Sequence, residues 1–560
     1  MTAEARIRDR SLEPYVPRLL LSWLAEHPDD RHARVEGTLV LADISGFTAL
    51  SERLARKGKV GAEEVADTIG ACFQRLLGVA YAGGGGLLKF GGDAILLLFS
   101  GRDHRTGALR TAIGMRRALR QIGPLAAPGG RVSLRMSIGV HAGHVDLFLV
   151  GGSHRELIIA GPGATRAVVM EAAADAGEIV VSPETGSDLP AGLFGPPKGD
   201  GRLLRREPKG LGEEPSPSPP PVSRDSLETT IPEGIRSHLA EGGGDSEHRM
   251  VAVAFVHFDG IDDLIDRRGP AAAATELQDL VVWVQRAADR HEVTFLGTDV
   301  DRDGGKIILA AGAPQATGHD EERMLVALRE ISDVRGGLTV RIGCNRGRVF
   351  AGDIGPPYRR TYTVMGDAVN LAARLMSAAG PGEILVSGQV AEASLTRFEL
   401  DPLPPLSVKG KARPIRAYRL RAHSRPSRPG RVEDGDGLPF IGRDREMAVL
   451  LEALASARNG RGQVVEVVGD AGIGKSRLTG ELRARAGDAT VFPVACELYE
   501  SATPYFPFRR SLRTLLGLPE GHSEDAPRLL REEFGRSAPR LLAWLPLIGL
   551  AVDVAVSETP

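Results

Sequence analysis

Two aspartates stand where apolar runs end. Asp43 follows the run in TLVLADISGF, and Asp93 sits in the turn of GLLKFGGDAILLLF, a strand, glycine turn and strand in sequence. Alone, an Asp at a strand end is usually a turn or cap residue. As a pair on adjacent strands, two carboxylates could bridge two divalent cations, which favour hard oxygen ligands. Such ions activate a hydroxyl and neutralise phosphate charge, which is what attack of a 3′-hydroxyl on the α-phosphate of a nucleoside triphosphate needs. A second constellation lies in GQVVEVVGDAGIGKSRL, where Gly469, four intervening residues and Gly474-Lys475-Ser476 follow an apolar strand pattern and precede a helical one. That context suits a phosphate-binding loop: backbone amides cradle phosphates, Lys475 reaches the β and γ phosphates, and Ser476 ligates Mg²⁺.

The elements that would position these groups come twice. LRMSIGVHAGHV followed by RELIIAGPGATRAVVMEAAADAGEIVVS matches LTVRIGCNRGRV followed by RTYTVMGDAVNLAARLMSAAGPGEILVS. Gly139 aligns with Gly343, Gly143 with Gly347, and Gly161 with Gly366. The long period fits two tandem copies of one domain and not a solenoid. TLVLADISGF and MVAVAFVHFDG read as opening strands. GAEEVADTIGACFQRLLGVAYA and AVNLAARLMSAA read as helices by their three- and four-residue apolar spacing. Pro/Ser-rich EPKGLGEEPSPSPPPVSRDS reads as an extended linker, and AHSRPSRPGRVEDGDG as another. The divisions are 1–35 (an N-terminal helical segment), 36–205 (first copy), 206–246 (linker), 247–422 (second copy), 423–438 (linker) and 439–560 (the start of a phosphate-binding-loop domain).

The bulk numbers fit this plan. The chain has 560 residues, 42% hydrophobic and 25% charged, with a formal net charge of −2. Three or so soluble domains are expected. The balance argues against a nucleic-acid partner, which would normally show a basic excess. Cys72, Cys344 and Cys496 are far apart in sequence, without metal-ligand spacing, and suggest reduced thiols in the cytoplasm. The run LLAWLPLIGLAVDVAV contains Pro546 and Asp553 and is too short to cross a bilayer comfortably, so no membrane association is expected.

The motifs ADISGFT, KFGGDAILLLF, YTVMGDAVNLAARL, PGEILVS and VKGKARPIRAYRL, in that order over most of residues 36–420, resemble the class III nucleotidyl cyclases. The tandem copies followed by a nucleotide-binding domain resemble the bicarbonate-responsive soluble adenylyl cyclases and their bacterial relatives, and PFIGRDREMAVL resembles the entry motif of signal-transduction ATPases. The implied fold is α+β: two ferredoxin-like cyclase domains forming a pseudo-symmetric pair, then a partial α/β P-loop NTPase domain. The implied activity is conversion of ATP to cyclic AMP and pyrophosphate with two Mg²⁺ or Mn²⁺. By the same resemblance Asp43, Asp93 and the carbonyl of Ile44 hold metal. Asn370 orients the ribose, and Arg374, on the same helix face four residues on, contacts phosphate in the transition state. Thr363 and Lys306 read the purine, and Lys409 or Lys411 faces the triphosphate.

The copies are not equivalent. His257 aligns with Asp43 and Gly305 with Asp93, while Thr165 and Val169 align with Asn370 and Arg374. One catalytic and one vacant pocket are therefore expected within a monomer. In the resembled family the vacant pocket takes bicarbonate at a lysine matching Lys89. Here the partner arginine is replaced by Val168, with Arg166 two positions earlier, which argues against bicarbonate sensitivity; bicarbonate or another small activator is the candidate ligand by the resemblance alone. The register of the family's purine-reading lysine falls near Asp301 to Asp303, with Lys306 the nearest lysine. No second acidic strand follows the phosphate loop, so nucleotide binding there is expected without hydrolysis. The chain stops at Pro560, short of a full ATPase domain, and is expected to be part of a longer regulator. Two competing readings are a guanylate cyclase and a cyclase-like sensor module that regulates the ATPase region.

Overall fold

In the computed structural model the chain separates into two units, Met1–His423 and Ser424–Pro560. The described residues are 12–55, 59–128, 130–209, 219–240, 246–316, 318–334, 336–393, 398–406, 414–423, 440, 442–469, 473–492, 494, 505–518, 525–552, 554 and 556.

The repeat is a repeat of topology. The first sheet runs in the order 86–91, 94–100, 32–45, 135–150, 179–181, 201–204 and 194–198, with 156–160 pairing beside 135–150. The second runs 294–301, 304–311, 247–259, 339–354, 384–387, 417–423 and 398–402, with 361–365 beside 339–354. Registers agree: Leu41 opposes Gly139 and Phe255 opposes Gly343. Hence Asp43 and His257 occupy one structural position.

Each opening strand is apolar on both faces because both faces are covered. Val40 and Ala42 point into a core shared with helices Lys59–Ala82 and His104–Ile122. Leu39 and Leu41 point the other way, into a cluster that also takes Val251, Val253 and Phe255 of the second copy. Ala252, Ala254 and Val256 turn to the second copy's own helices, Pro270–Arg290 and Asp320–Ser332. The period-two alternation thus divides each opening strand between its own copy's helix-covered core and a shared seam, and other strands cross over, Phe350 and Ile354 packing into the first core and Phe148 and Val150 into the second. At roughly 1.5–3 kcal/mol per buried aliphatic side chain, that seam holds the two copies as one unit.

Two segments fold where the sequence suggested less. Within the expected linker, helices Arg224–Glu228 and Glu233–Ala240 form, and Leu227, Ile231 and Ile235 are buried in the seam. At the N-terminus, prolines divide the expected helix into a short 3₁₀ turn, Glu13–Tyr15, and a helix, Arg18–Glu26. The turn straps onto the second copy: Tyr15 Oη donates to Asp353 Oδ2 at 2.6 Å, and Arg360 N donates to Pro14 O at 2.8 Å.

The second unit contains helices Asp444–Arg458, Lys475–Arg485, Phe506–Leu515, Ala526–Ser537 and Leu545–Val552. Leu530, Phe534, Leu545 and Val552 form its largest apolar cluster, which absorbs much of the run read as a packing segment. No helix among the described residues is long and apolar enough to cross a membrane. The expected strand before the phosphate loop is not formed. Residues 461–469 pair with no other described strand, and Val464 and Val468 are exposed. A strand buried in a parallel sheet needs neighbours on both sides, and none stands beside this segment among the described residues.

Candidate active site

Asp43 lies two residues before the end of the strand His32–Ser45, opposite Ala94. Asp93 lies in the tight turn joining Gly86–Gly91 to Ala94–Ser100, and its carbonyl accepts from Ile44 N at 3.1 Å. The strand end and the turn are thereby tied, which places two carboxylates side by side at the seam. Burial, then the charge of Asp43, pushes the Asp93 carboxyl well above the usual range. Burial and then Asp299 raise Asp43.

Both line a cavity of about 360 Å³ that the second copy completes with Thr363, Asn370, Asp299 and Lys306. Thr363 comes from the strand Thr361–Met365, and Asn370 from the first turns of the helix Asp367–Ala378. Gly366 caps that helix at φ +139°, a conformation open to glycine and costly for other residues. The helix sits directly on Gly343, whose absent side chain lets Met376 and Ala372 approach. Arg374, half-buried one turn beyond Asn370, is not among the residues lining the cavity. Of the expected site residues, Asp43, Asp93, Thr363, Lys306 and Asn370 are brought together. Ile44 is buried beneath them. Lys409 and Lys411 lie outside the described residues.

The expected lysine register needs correction. Asp299, not Asp301 to Asp303, is the counterpart of Gly91, because Asp299 opposes Lys306 as Gly91 opposes Ala94. The second hairpin runs two residues further on each strand before it turns. Both hairpins have a register shift at the same place, after Leu87 and after Phe295, so Lys89 corresponds to Gly297. Lys306 therefore reaches the cavity from the following strand. Its ammonium lies 3.6 Å from Asp299 and 3.7 Å from Asp301. Burial alone would lower its pKa, but these two carboxylates outweigh it and the net shift is upward.

Three further acidic residues line this cavity: Asp299 and Glu171, which the sequence reading missed, and Asp301, which it placed only as a register position. Asp299 and Asp301 carried a signal, since GTDVD places acidic residues two apart and so on one strand face. Glu171 accepts from Ser137 Oγ at 2.7 Å, and burial raises its carboxyl. Five carboxylates and one lysine make a site that needs added positive charge before it can accept a triphosphate. The paired Asp43 and Asp93, each raised by burial and by a neighbouring carboxylate, fit divalent cations by charge and by ligand hardness. The fit is that of a carboxylate pair; no group of three or more His, Cys, Asp or Glu side chains suited to a metal occurs among the described residues.

The pseudo-symmetric position is differently furnished. His257 Nδ1 stands 3.7 Å from Asp259 and its Nε2 3.8 Å from Asp301. Arg341 pairs with Asp259 at 2.5 Å, and burial lowers the His257 pKa, so an imidazole held neutral and Gly305 stand where the first copy carries its carboxylate pair. Thr165, the counterpart of Asn370, accepts from Asp303 N at 2.8 Å. Lys89 and Val168 do not share a pocket. Val168 lines the Asp43/Asp93 cavity, whereas Lys89 lines a separate one and pairs with Glu156.

In the second unit Gly474 precedes the helix Lys475–Arg485, as a phosphate loop requires, and Lys475 Nζ donates to Gly469 O at 2.7 Å. Ser476 lies in the first turn of that helix.

Residues 31–195 and 245–422 each match the adenylate and guanylate cyclase catalytic domain family. The chain belongs to that family. Residues 439–549 of the chain match the AAA ATPase domain family. Adenylate cyclase type 10 of Oryctolagus cuniculus is 23% identical over 505 residues, covering 80% of this chain and 30% of that protein. An uncharacterized protein of Mycobacterium tuberculosis is 31% identical over 192 residues, covering 32% of this chain and 34% of that one. The chain thus spans about a third of the length of these relatives. Among solved structures, a class III adenylyl cyclase-like ATP-binding protein from Pseudomonas aeruginosa is 13% identical, covers 65% of this chain and 85% of its own, and has a TM-score of 0.46. The guanylate cyclase domain of RhGC from Catenaria anguillulae, in complex with GTP, is 22% identical, covers 32% and 100%, and has a TM-score of 0.29.

Proposed function

We propose that this cyclase is an adenylate cyclase that makes 3′,5′-cyclic AMP and pyrophosphate at one site shared by its two cyclase domains. The observation that carries the reading is the joint cavity, in which the carboxylate pair of one domain faces Thr363, Lys306 and Asn370 of the other. Asp43, Asp93 and the Ile44 carbonyl would hold two Mg²⁺ or Mn²⁺, which supply Lewis acidity to the attacking 3′-hydroxyl and the α-phosphate. Asn370 orients the ribose for in-line attack. A bond forms from O3′ to the α-phosphorus as the bond from that phosphorus to the bridging oxygen of pyrophosphate breaks, and the 3′-hydroxyl proton leaves to solvent. Arg374 stabilises charge on the reacting phosphate, reached by a rotamer change or by closure of the helix. Lys409 or Lys411 neutralises the triphosphate. Thr363 and Lys306 read the purine edge, and the Thr363 hydroxyl and the carboxylate-rich surroundings favour the amino group of adenine over the oxygen of guanine.

The phosphate loop of the second unit binds a second nucleotide through Gly469, Gly474, Lys475 and Ser476 and serves regulation. The cyclase acts as a cytoplasmic signalling protein, and its catalytic pair works as a monomer. ATP and GTP supplied together with Mn²⁺ test the base assignment. Cyclic AMP is the expected major product; predominant cyclic GMP would transfer the assignment to guanylate cyclase, and no product from folded protein would favour a sensor module.

A further inference from the structure

Glu156 is a buried carboxylate that the chemistry above does not use. It begins the strand Glu156–Ala160 of the first domain, and its partners come from both domains. Lys89 of the first domain donates to Oε1. From the second domain, Thr298 donates to the same oxygen twice, through its backbone N at 2.9 Å and its Oγ1 at 2.7 Å. Lys89 Nζ also reaches Thr298 Oγ1 at 3.0 Å, closing a triangle. His154 Nε2 stands 3.8 Å from the other carboxylate oxygen. Burial would raise the Glu156 carboxyl, but Lys89, His154 and Thr298 outweigh it and hold it below the usual range.

The positions of the partners give this triangle its meaning. Lys89 lies on the strand that leads into Gly91, Gly92 and Asp93, the metal-side turn. Thr298 immediately precedes Asp299, which faces that turn: a side chain placed on Gly91 would meet Asp299 Oδ2 at 2.8 Å. One carboxylate therefore grips, at their roots, the two strands that form opposite walls of the cavity. The seam around it is polar and bidentate, with Gly152 N donating to Gln285 at 2.6 Å, and Gly151 exchanging hydrogen bonds with Gln278 at 3.0 and 3.1 Å.

We propose that Glu156 is a positioning residue for the cyclase reaction, clamping the Asp93 turn of the first domain to the Asp299 wall of the second. It also gives Lys89 a permanent internal counter-ion, so the cavity beside Lys89 needs no external anion to complete it. Charge-assisted hydrogen bonds among buried groups are the strong class, and losing one partner strands the others.

The inference rests on the cyclase reading for its kinetic arm and not for its structural one. In the full chain, Glu156→Gln keeps the shape and the bonds from Thr298 but removes the charge that holds Lys89. Turnover is expected to fall about 10- to 100-fold, the range for a reacting geometry loosened by up to an ångström, with KM changed less than about threefold. Lys89→Met should do the same, and the double variant should be no worse than either single one, because both remove one tether. By hydrogen exchange, amides of residues 91–93 and 299–301 should both exchange faster in Glu156→Gln while those of the strand 135–150 keep their protection. Unchanged turnover, additive losses, or faster exchange in only one of the two hairpins would overturn the clamp. A wild-type chain that makes no cyclic nucleotide would sink the cyclase reading, and the exchange measurement would still decide the clamp.

Discussion

Adding one methyl group at Gly343 should separate folding from catalysis. The helix Asp367–Ala378, which carries Asn370 and Arg374, rests on this glycine. A Cβ there would lie 2.6 Å from Met376 Cα, with the Met376 amide and the Ala372 carbonyl nearer still. Restoring ordinary contact, at 3.4 Å, to the Met376 amide nitrogen at 2.0 Å moves the helix about 1.4 Å, because the obstacles are backbone and no side chain can swing aside. Overpacking of this kind costs about 1–3 kcal/mol. A shift of about 1 Å at catalytic groups costs roughly 10²-fold in turnover. The pseudo-symmetric control is Gly139→Ala, where Cβ would lie 2.8 Å from Glu171 Cα on the helix Pro162–Ala173. That helix bears Thr165 and Val169 in place of Asn370 and Arg374, and reaches the catalytic cavity only through Val168 and Glu171, which have no assigned part in the reaction, so its turnover loss sets the baseline for the comparison. Both variants should lose similar stability in thermal denaturation, while cyclic AMP formation should fall at least tenfold further for Gly343→Ala. Equal losses of turnover, or a folded Gly343→Ala with wild-type turnover, would refute the asymmetric assignment.

Two further outcomes follow from the same geometry. Arg374→Ala should lower kcat by about 10²- to 10³-fold with a smaller change in KM, since its contact is made in the transition state; a loss confined to KM would assign it to ground-state binding. Burial pushes His141 down to about 4, against 6.5 when exposed. Its neutral form is the folded one, so the stability it contributes is full above pH 6.5 and is lost as pH falls from 6.5 towards 4. At pH 5 that loss is about 2 kcal/mol, from 1.36 kcal/mol per pH unit. A His141→Gln variant compared with wild type by denaturation at pH 7 and pH 5 should lack this part of the slope; identical slopes would contradict the burial argument.

The repeat made most of the fold legible. Paired glycines at 139 and 343 and at 161 and 366 marked the helix-on-strand contacts, because only glycine tolerates the close approach or the positive φ found there. Asp43 and Asp93 were legible because strand ends and tight turns announce themselves in sequence. The second hairpin was not. Its two extra residues per strand leave no trace in residue type, so the lysine position was displaced. Glu156 was hidden for another reason: its partner Thr298 lies 142 residues away in the other domain, and only the packed seam brings them together. Val464 and Val468 show the converse, an apolar pattern that pairs with no described strand.

The central claim is that one site is built from two unlike halves of a single chain. Cyclic AMP formed from ATP and Mn²⁺ by wild type, by Asp43→Ala, by Asn370→Ala and by an equimolar mixture of the two variants tests it most directly. Product is expected from wild type alone, with both variants and their mixture silent. Product recovered by mixing would show that halves from different chains combine, and a silent wild type would contradict the account altogether.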